Sequence, residues 1–535
     1  MDSIFSTVCP CCGAPVAVYS ATAVVVVCQY CQSSLVRTEQ SLTDSGKKSA
    51  IIEDYSPLQL YSSGTFEGKA FTLIGRSQIR YDRGVWNEWY ALFSDGSYGW
   101  LSESGDQYVF TRLQGKLPPA YKLSFQQLKA GKSVLNYQTV RYMAADVRQA
   151  TAAQANAQGE LPYPVKQDQA LKVADFRSEQ RFITLDFSEN GQQPIVYAGT
   201  VTTLDTLHCQ NLRSKDTILQ QAGKLKGEQK ASQCPQCGSR IIWAQQMTED
   251  AICKSCHAHI DLSTDQARVI EVYNFRQKTE KAFSLSLGET GKIDDVCWTV
   301  IGLVKKTEIE SSDAWRIMLG ESSRMSITTE GWLEYLLYNS KKGFLWLIET
   351  TQHEWAISTT LNQWPKLNLN QQPYNDNGQL MGKLYDYGGR VDYAAGAFYW
   401  QIQPDDITCY SDYGTEQLKV CAEYSKYEMA WSSSKAVSAQ QVATWFQKPT
   451  LLSATAGQRT TTEQRNRAAL NRVNRKNKFQ QKSGKGAAIF LLLAYGLINL
   501  PAFFMSFSST ISLLIVCGVS YLIYVLLGKP FDQEA

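Results

Sequence analysis

Two sets of four cysteines are the residues of this chain best suited to bind a metal. The first set is Cys9, Cys12, Cys28 and Cys31, and the second is Cys234, Cys237, Cys253 and Cys256. Both read C-P-x-C-G and then, after fifteen intervening residues, C-x-x-C, and the second set lies 225 positions after the first. In a zinc ribbon, this spacing lets two knuckles bring four thiolates to one tetrahedral ion. Because four thiolates leave no open position for water, the pattern predicts two structural zinc ions.

Other roles for these cysteines are less favoured. Disulfides are rare in a reducing cytoplasm, where the charge pattern described below places this chain. The string Cys253–His257 matches the attachment pattern of c-type haem, but Gln32 stands where the first set would need the histidine. Cys11 has no counterpart in the second set, where Gln236 replaces it, so we interpret Cys11 as a spare thiol.

A charge-free stretch near the C-terminus predicts two membrane-spanning helices. No charged residue occurs between Gly486 and Gly528, a run of 43 residues. This is about twice the ~20 residues that cross a bilayer, so we predict spans within 487–527, with a short polar turn around Ser508. A buried hairpin in a large soluble core is the alternative.

The segment before this stretch is strongly basic. Residues 459–485 carry nine basic residues and one acid, a net +8, whereas the whole chain carries +3. By the positive-inside rule this segment stays in the cytoplasm, which predicts a bacterial inner-membrane protein with its N-terminal region and C-terminal tail in the cytoplasm. The segment could also bind anionic lipid headgroups, or its charges could only set the topology. The basic residues proposed for the membrane surface are Arg465, Arg467, Arg472, Arg475, Lys476, Lys478, Lys482 and Lys485.

The composition excludes several classes of protein. Hydrophobic residues make up 44% of the 535 residues and charged residues 19%, which excludes a disordered protein. Fourteen cysteines are far too few for a secreted disulfide scaffold. The rest of the chain outside the basic segment is net acidic, and neither cysteine set lies in a basic patch. We therefore expect no nucleic-acid binding.

The duplication extends beyond the cysteines. Gly64 and Gly75 are matched by Gly291 and Gly302, each 227 positions later, and the run Trp89–Phe93 parallels Glu334–Tyr338. Short aromatic and β-branched runs with hairpin turns predict a mainly β fold of two zinc-ribbon and antiparallel barrel or sandwich units, followed by the membrane hairpin. The predicted parts are zinc ribbon 1 (1–40), β domain 1 (57–212), zinc ribbon 2 (232–265), β domain 2 (283–447), the basic segment (459–485) and the two spans (487–527).

These repeated runs resemble a known bacterial family. Gly64 to Gly75, Trp89-Tyr90 with Tyr98-Gly99-Trp100, and Gly396 to Trp400 are similar to the domain of unknown function 4178, over more than half the chain. The resemblance implies tandem copies with zinc ribbons and C-terminal spans, but no activity, since none is established for the family. Genes for members of this family are often neighbours of genes for small membrane proteins and spermidine-synthase-like enzymes. This association implies an envelope-associated role.

The search for catalytic motifs is negative. His353-Glu354 begins like a zincin helix, but Ile357 stands where the second histidine is needed, and Gly131-Lys132-Ser133 lacks the first glycine of a P-loop. We therefore expect a membrane-anchored adaptor or scaffold that uses exposed aromatic residues to bind an unknown protein partner. The aromatic candidates are Trp86, Trp89, Trp100, Trp332, Trp346 and Trp355, of which we expect about two in three to lie in the core. The alternatives are a membrane-associated hydrolase or transferase, and a lipid- or polyamine-responsive sensor.

Overall fold

The structure is a computed structural model of the 535-residue chain. It describes residues 5–18, 23, 25–28, 30–31, 33–37, 42–48, 51–52, 54–81, 84–152, 157–163, 169–189, 193–221, 225–226, 229–233, 240–244, 250–252, 259–261, 268–271, 283–321, 327–396, 398–400, 402, 404–415 and 417–452. The basic segment and the predicted spans lie outside these residues. Within the described part of the chain, no helix is long and apolar enough to cross a membrane.

The first cysteine set lies among five short strands. They are β1 (Phe5–Val8), β2 (Pro15–Val18), β3 (Val25–Val27), β4 (Ser33–Arg37) and β5 (Leu42–Lys48), followed by β6 (Ile51–Ile52). β1 pairs with β2, and β3, β4 and β5 form an antiparallel meander. Valine-rich strands of this length suit a small half-buried sheet.

An eight-stranded antiparallel ring, barrel 1, follows. Its region contains β7 (Ser63–Phe66), β8 (Lys69–Tyr81), β9 (Gly84–Phe93), β10 (Tyr98–Ser104), β11 (Gln107–Lys116), β12 (Val134–Tyr137), β13 (Val140–Ala152), β14 (Ala157–Leu161), β15 (Gln169–Ser178), β16 (Arg181–Asp186) and β17 (Ile195–Thr202). The ring runs β8-β9-β10-β11-β17-β16-β15-β13 and closes where Thr151 of β13 pairs with Arg80 of β8. β14 pairs with both β8 and β3, so barrel 1 and the strands around the first cysteine set share one sheet.

The strands around the second cysteine set repeat the layout of the strands around the first. Its strands are β18 (Leu225–Lys226), β19 (Gln229–Gln233), β20 (Arg240–Ala244), β21 (Asp250–Ile252), β22 (His259–Asp261) and β23 (Arg268–Glu271). β19 pairs with β20 as β1 does with β2, and β21, β22 and β23 form a second meander. The duplication of the cysteine pattern is thus accompanied by a duplicated backbone arrangement.

A second closed ring of eight antiparallel strands, barrel 2, completes the described chain. Its region contains β24 (Thr290–Ile293), which pairs only with β25 among the described strands, and the eight ring strands β25 (Val296–Ile309), β26 (Ile327–Asn339), β27 (Gly343–Thr350), β28 (Trp355–Thr360), β29 (Lys383–Gly396), β30 (Ile407–Gly414), β31 (Leu418–Tyr424) and β32 (Met429–Val437). The ring runs β25-β26-β27-β28-β32-β31-β30-β29 and closes through a long β29–β25 pairing. Both repeats therefore have one topology, and of the two predicted architectures, barrel and sandwich, the structure has the barrel.

Helices are few and short within the described residues. They are α1 (Lys215–Gln221), α2 (Ser311–Met318), α3 (Ala439–Trp445) and two 3-10 turns, Pro119–Tyr121 and Phe125–Gln127. Ser438 and Gln441 form a capping box at the start of α3. Val442 and Phe446 then pack against the outer face of barrel 2, where they bury Trp298 and Leu337.

The outer face of barrel 1 carries most of its apolar core. Phe71, Trp89 and Phe110 pack beneath chain segments that contribute Leu58 and Leu207. The other half of the ring buries a second apolar cluster in the same way. The connecting segments of each repeat therefore cover the barrel from outside.

Gly75 is required because another strand crosses its face. A Cβ atom at this position would lie 1.7 Å from the carbonyl oxygen of Glu160 on β14. We expect Gly75→Ala to lower the free energy of unfolding by about 3 kcal/mol, since backbone rather than a side chain would have to move. Gly302, its counterpart, faces the ring of Phe398 at 2.5 Å, so Gly302→Ala should cost less. Urea denaturation of both variants tests this, and an equal or smaller loss in Gly75→Ala would contradict it.

Candidate metal centre and barrel interiors

The four cysteines of the first set lie together. Their sulfur atoms are all within 4.8 Å of one another. The Cys9 and Cys31 sulfurs are 3.7 Å apart, and those of Cys12 and Cys28 are 3.8 Å apart. Thiolates placed ~2.3 Å from a tetrahedral zinc ion would be separated by about 3.8 Å. The donor set and its spacing therefore fit one zinc ion.

Tight turns place these sulfurs. The Cys9 amide donates to the carbonyl of Ala14 and the Gly13 amide to that of Cys9, and Gly13 has a φ of +74°. A left-handed conformation at this position is readily adopted by glycine, which explains the glycine of the C-P-x-C-G pattern. On the second turn, the Cys28 amide donates to the carbonyl of Ser33 at 2.9 Å.

The region of the first cysteine set has a small apolar core of its own. Val18, Val26 and Leu35 are buried together with the Cys9 and Cys28 side chains. Burial raises the pKa of the Cys28 thiol to about 12, so without a metal this thiol is protonated at neutral pH. A core of this size supplies little folding free energy, and metal ligation would supply the rest.

The described residues contain one such cysteine cluster. Cys234, Cys237, Cys253 and Cys256 lie outside them, so the second zinc site stays a prediction. Cys11 is exposed and is not part of the first cluster, in agreement with its interpretation as a spare thiol.

The inner face of barrel 2, its lumen, is polar and aromatic. The rings of Trp332 on β26 and Tyr410 on β30 lie 5.9 Å apart, although β25 and β29 separate these strands in the sheet. Three strand spacings amount to about 14 Å along a sheet, so the two rings can meet only across the concave side. The Lys306 ammonium also lies in this lumen, 2.9 Å from both Glu334 and the Tyr410 hydroxyl.

The equivalent face of barrel 1 carries half-buried acids. Glu88 on β9 accepts hydrogen bonds from the Trp86 indole at 2.8 Å and the Ser102 hydroxyl at 2.7 Å. Burial raises the pKa of Glu88 to about 7, and the negative charge of Asp175 on β15 contributes to the rise. β8 and β13 lie between β9 and β15 in the ring, so Glu88 and Asp175 interact across the lumen.

A second pair of acids is buried on the outer faces. Glu103 accepts hydrogen bonds from the Ser56 hydroxyl at 2.8 Å and the Trp89 indole at 2.8 Å. Glu349 accepts from the Ser284 hydroxyl at 2.7 Å and the Tyr335 hydroxyl at 2.5 Å. Each repeat thus has a buried glutamate that ties the segment before its barrel to the third strand of the ring. The arrangement is a structural clasp, because both carboxylates are covered by protein.

Comparison with models of known protein families identifies the family of this chain. The model of the domain of unknown function 4178 (DUF4178) matches residues 59–203 and 286–439, together more than half of the chain. The chain belongs to the DUF4178 family. The two matched regions coincide with the two barrels, so barrel 1 and barrel 2 are tandem DUF4178 copies. No curated protein and no solved structure matches the chain.

The strand register corrects the match between the two DUF4178 copies. Tyr90 pairs with Trp100 in barrel 1, and Leu336 pairs with Trp346 in barrel 2. The counterpart of Glu334 is therefore Glu88, one residue before the start of the run matched by sequence. The connection between these strands has the same length in both copies, since Leu92 pairs with Tyr98 and Tyr338 with Phe344. The match by sequence was displaced by one residue because it aligned Tyr90 with Tyr335.

Most of the tryptophans proposed for a partner surface are inside the DUF4178 copies. Trp89, Trp100 and Trp355 are buried, and Trp86 and Trp332 face the lumens. The prediction that most of the candidate tryptophans lie in the core is therefore confirmed, and these residues do not form an aromatic-edged surface. These tryptophans can lie inside the protein because their indole N–H groups find hydrogen-bond acceptors and apolar segments cover their rings.

The structural signal that the sequence comparison passed over is the glutamate at the end of a short repeated string. Trp100-Leu101-Ser102-Glu103 in the first copy matches Trp346-Leu347-Ile348-Glu349 in the second. Both strings end in the buried clasp glutamate. His353, noted from sequence for its resemblance to a zincin motif, instead places its Nδ1 atom 2.7 Å from Glu349.

The buried acid of the first clasp should make stability depend on pH. Burial and the charge of Asp54 raise the pKa of Glu103 to about 7, while the ordinary value is near 4.5. The unfolded chain would therefore ionise first, and stability should fall as the pH rises from about 4.5 to about 7. Arg76 opposes the shift.

Glu103→Gln should remove this contribution, on the order of 1–3 kcal/mol. The test is the difference in urea midpoint between pH 5 and pH 8, which should be smaller in Glu103→Gln than in the unaltered protein. An equal difference in the two proteins would show that Glu103 titrates normally. Glu67→Gln, at a side chain exposed to solvent, is the matched control.

Proposed function

We propose that this DUF4178 protein is a membrane-anchored cytoplasmic adaptor or scaffold with structural zinc, serving an envelope-maintenance or stress system. The observation that supports the proposal is the arrangement of four cysteine sulfur atoms at the first site. Four sulfurs complete a tetrahedral coordination sphere, so a zinc ion there has no position for a reacting water. Such an ion stabilises the ribbon and presents its surface.

The ribbon presents apolar side chains beside the cysteines. Val8, which precedes Cys9, is 61% exposed, and Tyr30, between Cys28 and Cys31, is 70% exposed. Tyrosine is enriched at protein interfaces because it combines a large apolar body with a polar hydroxyl. These residues replace the barrel tryptophans as the surface that we propose binds a protein partner.

The proposed anchor is the charge-free stretch 487–527 with the basic segment before it. Sequence alone supports this part of the proposal. The charge-free stretch and the basic segment together would hold the ribbons and both barrels at the cytoplasmic face of the inner membrane, with the basic side chains near anionic headgroups. The association of the family with membrane-protein genes is consistent with this location.

Fractionation of cells that produce the tagged full-length chain tests the anchor. We expect the chain to stay in the membrane pellet after alkaline carbonate extraction, and a truncation after Pro449 to move to the soluble fraction. Replacing the eight basic residues from Arg465 to Lys485 by glutamine is the control for surface attachment alone. Release of the full-length chain by carbonate would contradict a spanning hairpin.

The other hypotheses stay predictions. A membrane-associated hydrolase or transferase has no catalytic motif in the sequence to support it. A lipid- or polyamine-responsive sensor would need a ligand site in a barrel.

A further inference from the structure

One of the differences between the two barrel lumens indicates what they bind. In barrel 2 the Trp332 indole donates to Glu334 at 2.7 Å, and in barrel 1 the Trp86 indole donates to Glu88 at 2.8 Å. The strand register places Lys306 opposite Trp332 and Ile79 opposite Trp86. The tryptophan–carboxylate pair is therefore present twice, and its lysine is present once.

Barrel 2 shows what this pair binds. The Lys306 ammonium lies 2.9 Å from the Glu334 carboxylate and 2.9 Å from the Tyr410 hydroxyl. It also lies 6.0 Å from the centre of the Trp332 ring and 5.6 Å from that of Tyr410. A carboxylate with aromatic faces is a good site for an ammonium group, through a charge-assisted hydrogen bond and cation–π attraction.

In barrel 1 no described side chain supplies such a cation to the corresponding carboxylate. Glu88 forms no ion pair within the described part of the chain, and Ile79 cannot supply one. Serines also face Glu88 where barrel 2 has aliphatic residues, because Ser77 and Ser102 stand opposite Glu88, and Val304 and Ile348 stand opposite Glu334. Hydroxyl groups can complete the coordination of a bound ammonium.

Solvent reaches this part of the lumen. Trp86, Glu88 and Ser102 are each half-buried although they face the inside of the ring, and Tyr163, which packs on Trp100, is partly exposed. A small molecule could therefore reach the carboxylate without opening of the barrel.

We propose that the lumen of barrel 1 binds the ammonium group of a small organic amine at Glu88 and Trp86, the place that the Lys306 side chain fills in barrel 2. Barrel 2 is then an internally occupied copy of the same site. This inference goes beyond the adaptor function, and either proposal can fail without the other.

Calorimetric titration of the full-length protein tests the inference, with n-butylammonium chloride as the probe because it matches the lysine side chain. We expect saturable binding of about one n-butylammonium per chain and none of n-butanol. Glu88→Gln keeps an acceptor for Trp86 but removes the charge, and should weaken binding about ten- to a hundred-fold. Glu334→Gln is the matched control and should leave binding unchanged, since its cation is internal.

Two substitutions at the position occupied by Ile79 in barrel 1 and by Lys306 in barrel 2 complete the test. Ile79→Lys should abolish n-butylammonium binding by filling the site, and Lys306→Ala should raise the stoichiometry to about two per chain. The absence of saturable binding to the unaltered protein would overturn the proposal. Binding that persists unchanged in Glu88→Gln would also overturn it, whether or not the other two variants fold.

Discussion

Replacing Cys9 and Cys12 together by serine should lower the zinc content of the purified full-length protein from about two ions per chain to about one. Both cysteines belong to the cluster whose sulfurs lie within 4.8 Å of one another, and serine hydroxyls do not replace thiolates as zinc ligands. Structural zinc contributes on the order of 10 kcal/mol to a small ribbon, so its loss should unfold the ribbon. Elemental analysis by mass spectrometry measures the loss directly.

The effect should extend into barrel 1. Val25 and Val27 of β3 pair with Leu161 and Gly159 of β14, which is itself paired with β8. Loss of the ribbon removes one neighbour of β14, and limited proteolysis should then cut near Leu161. Cys11→Ser is the matched control, because Cys11 is exposed and outside the cluster, and it should keep both the zinc and the resistance. Unchanged zinc in the double variant would refute the assignment.

Glu349→Ala should be among the most destabilising single substitutions in barrel 2. The Glu349 side chain is fully buried, and its carboxylate accepts from the Ser284 and Tyr335 hydroxyls and contacts His353. Alanine would leave the buried Tyr335 hydroxyl and the half-buried Ser284 hydroxyl without this acceptor and would open a cavity. We expect a loss of about 3–5 kcal/mol in the free energy of unfolding.

Glu354→Ala provides the comparison for this variant. Glu354 lies on the same hairpin but is exposed, so its replacement should change stability by less than about 0.5 kcal/mol. Urea denaturation followed by tryptophan fluorescence measures both, since Trp355 packs on Tyr335 beside the clasp. Similar midpoints for the two variants would show that the clasp contributes little.

The sequence predicted the architecture well where local patterns decide it. The offset of 225 residues between the cysteine sets, the glycines at Gly75 and Gly302, and the aromatic runs predicted a duplicated antiparallel β fold. The structure explains why those glycines recur: each sits where another part of its own repeat crosses the sheet, Glu160 in one and Phe398 in the other. The membrane spans and second zinc site stay predictions.

The interior of the barrels could not be predicted in the same way. Which face of a strand points inward depends on closure of the ring and on bulges, such as the one between Leu73 and Gly75, which shift every later residue to the other face. Tryptophans beside polar residues, as in Trp86-Asn87-Glu88, suggest a surface when read along the chain. Only the cross-strand register reveals that Trp86 and Glu88 face a lumen.

The assignment of Trp89 to the interior moves the proposed partner surface from the barrels to the ribbon. Tyr30 and Val8 are large exposed hydrophobic residues beside the candidate metal site. A rigid metal-bound turn loses little conformational entropy on binding, which favours such a surface for recognition.

Site-specific photo-crosslinking in cells tests this central claim most directly. A photoreactive phenylalanine analogue at position 30 of the full-length chain should give one discrete adduct with a partner protein in the membrane fraction. The same analogue at Tyr98, a partly exposed residue on barrel 1, should not give that adduct, and the Cys9→Ser/Cys12→Ser variant should lose it. If position 30 gives no adduct beyond those at position 98, the ribbon is not a docking surface and the adaptor account is wrong.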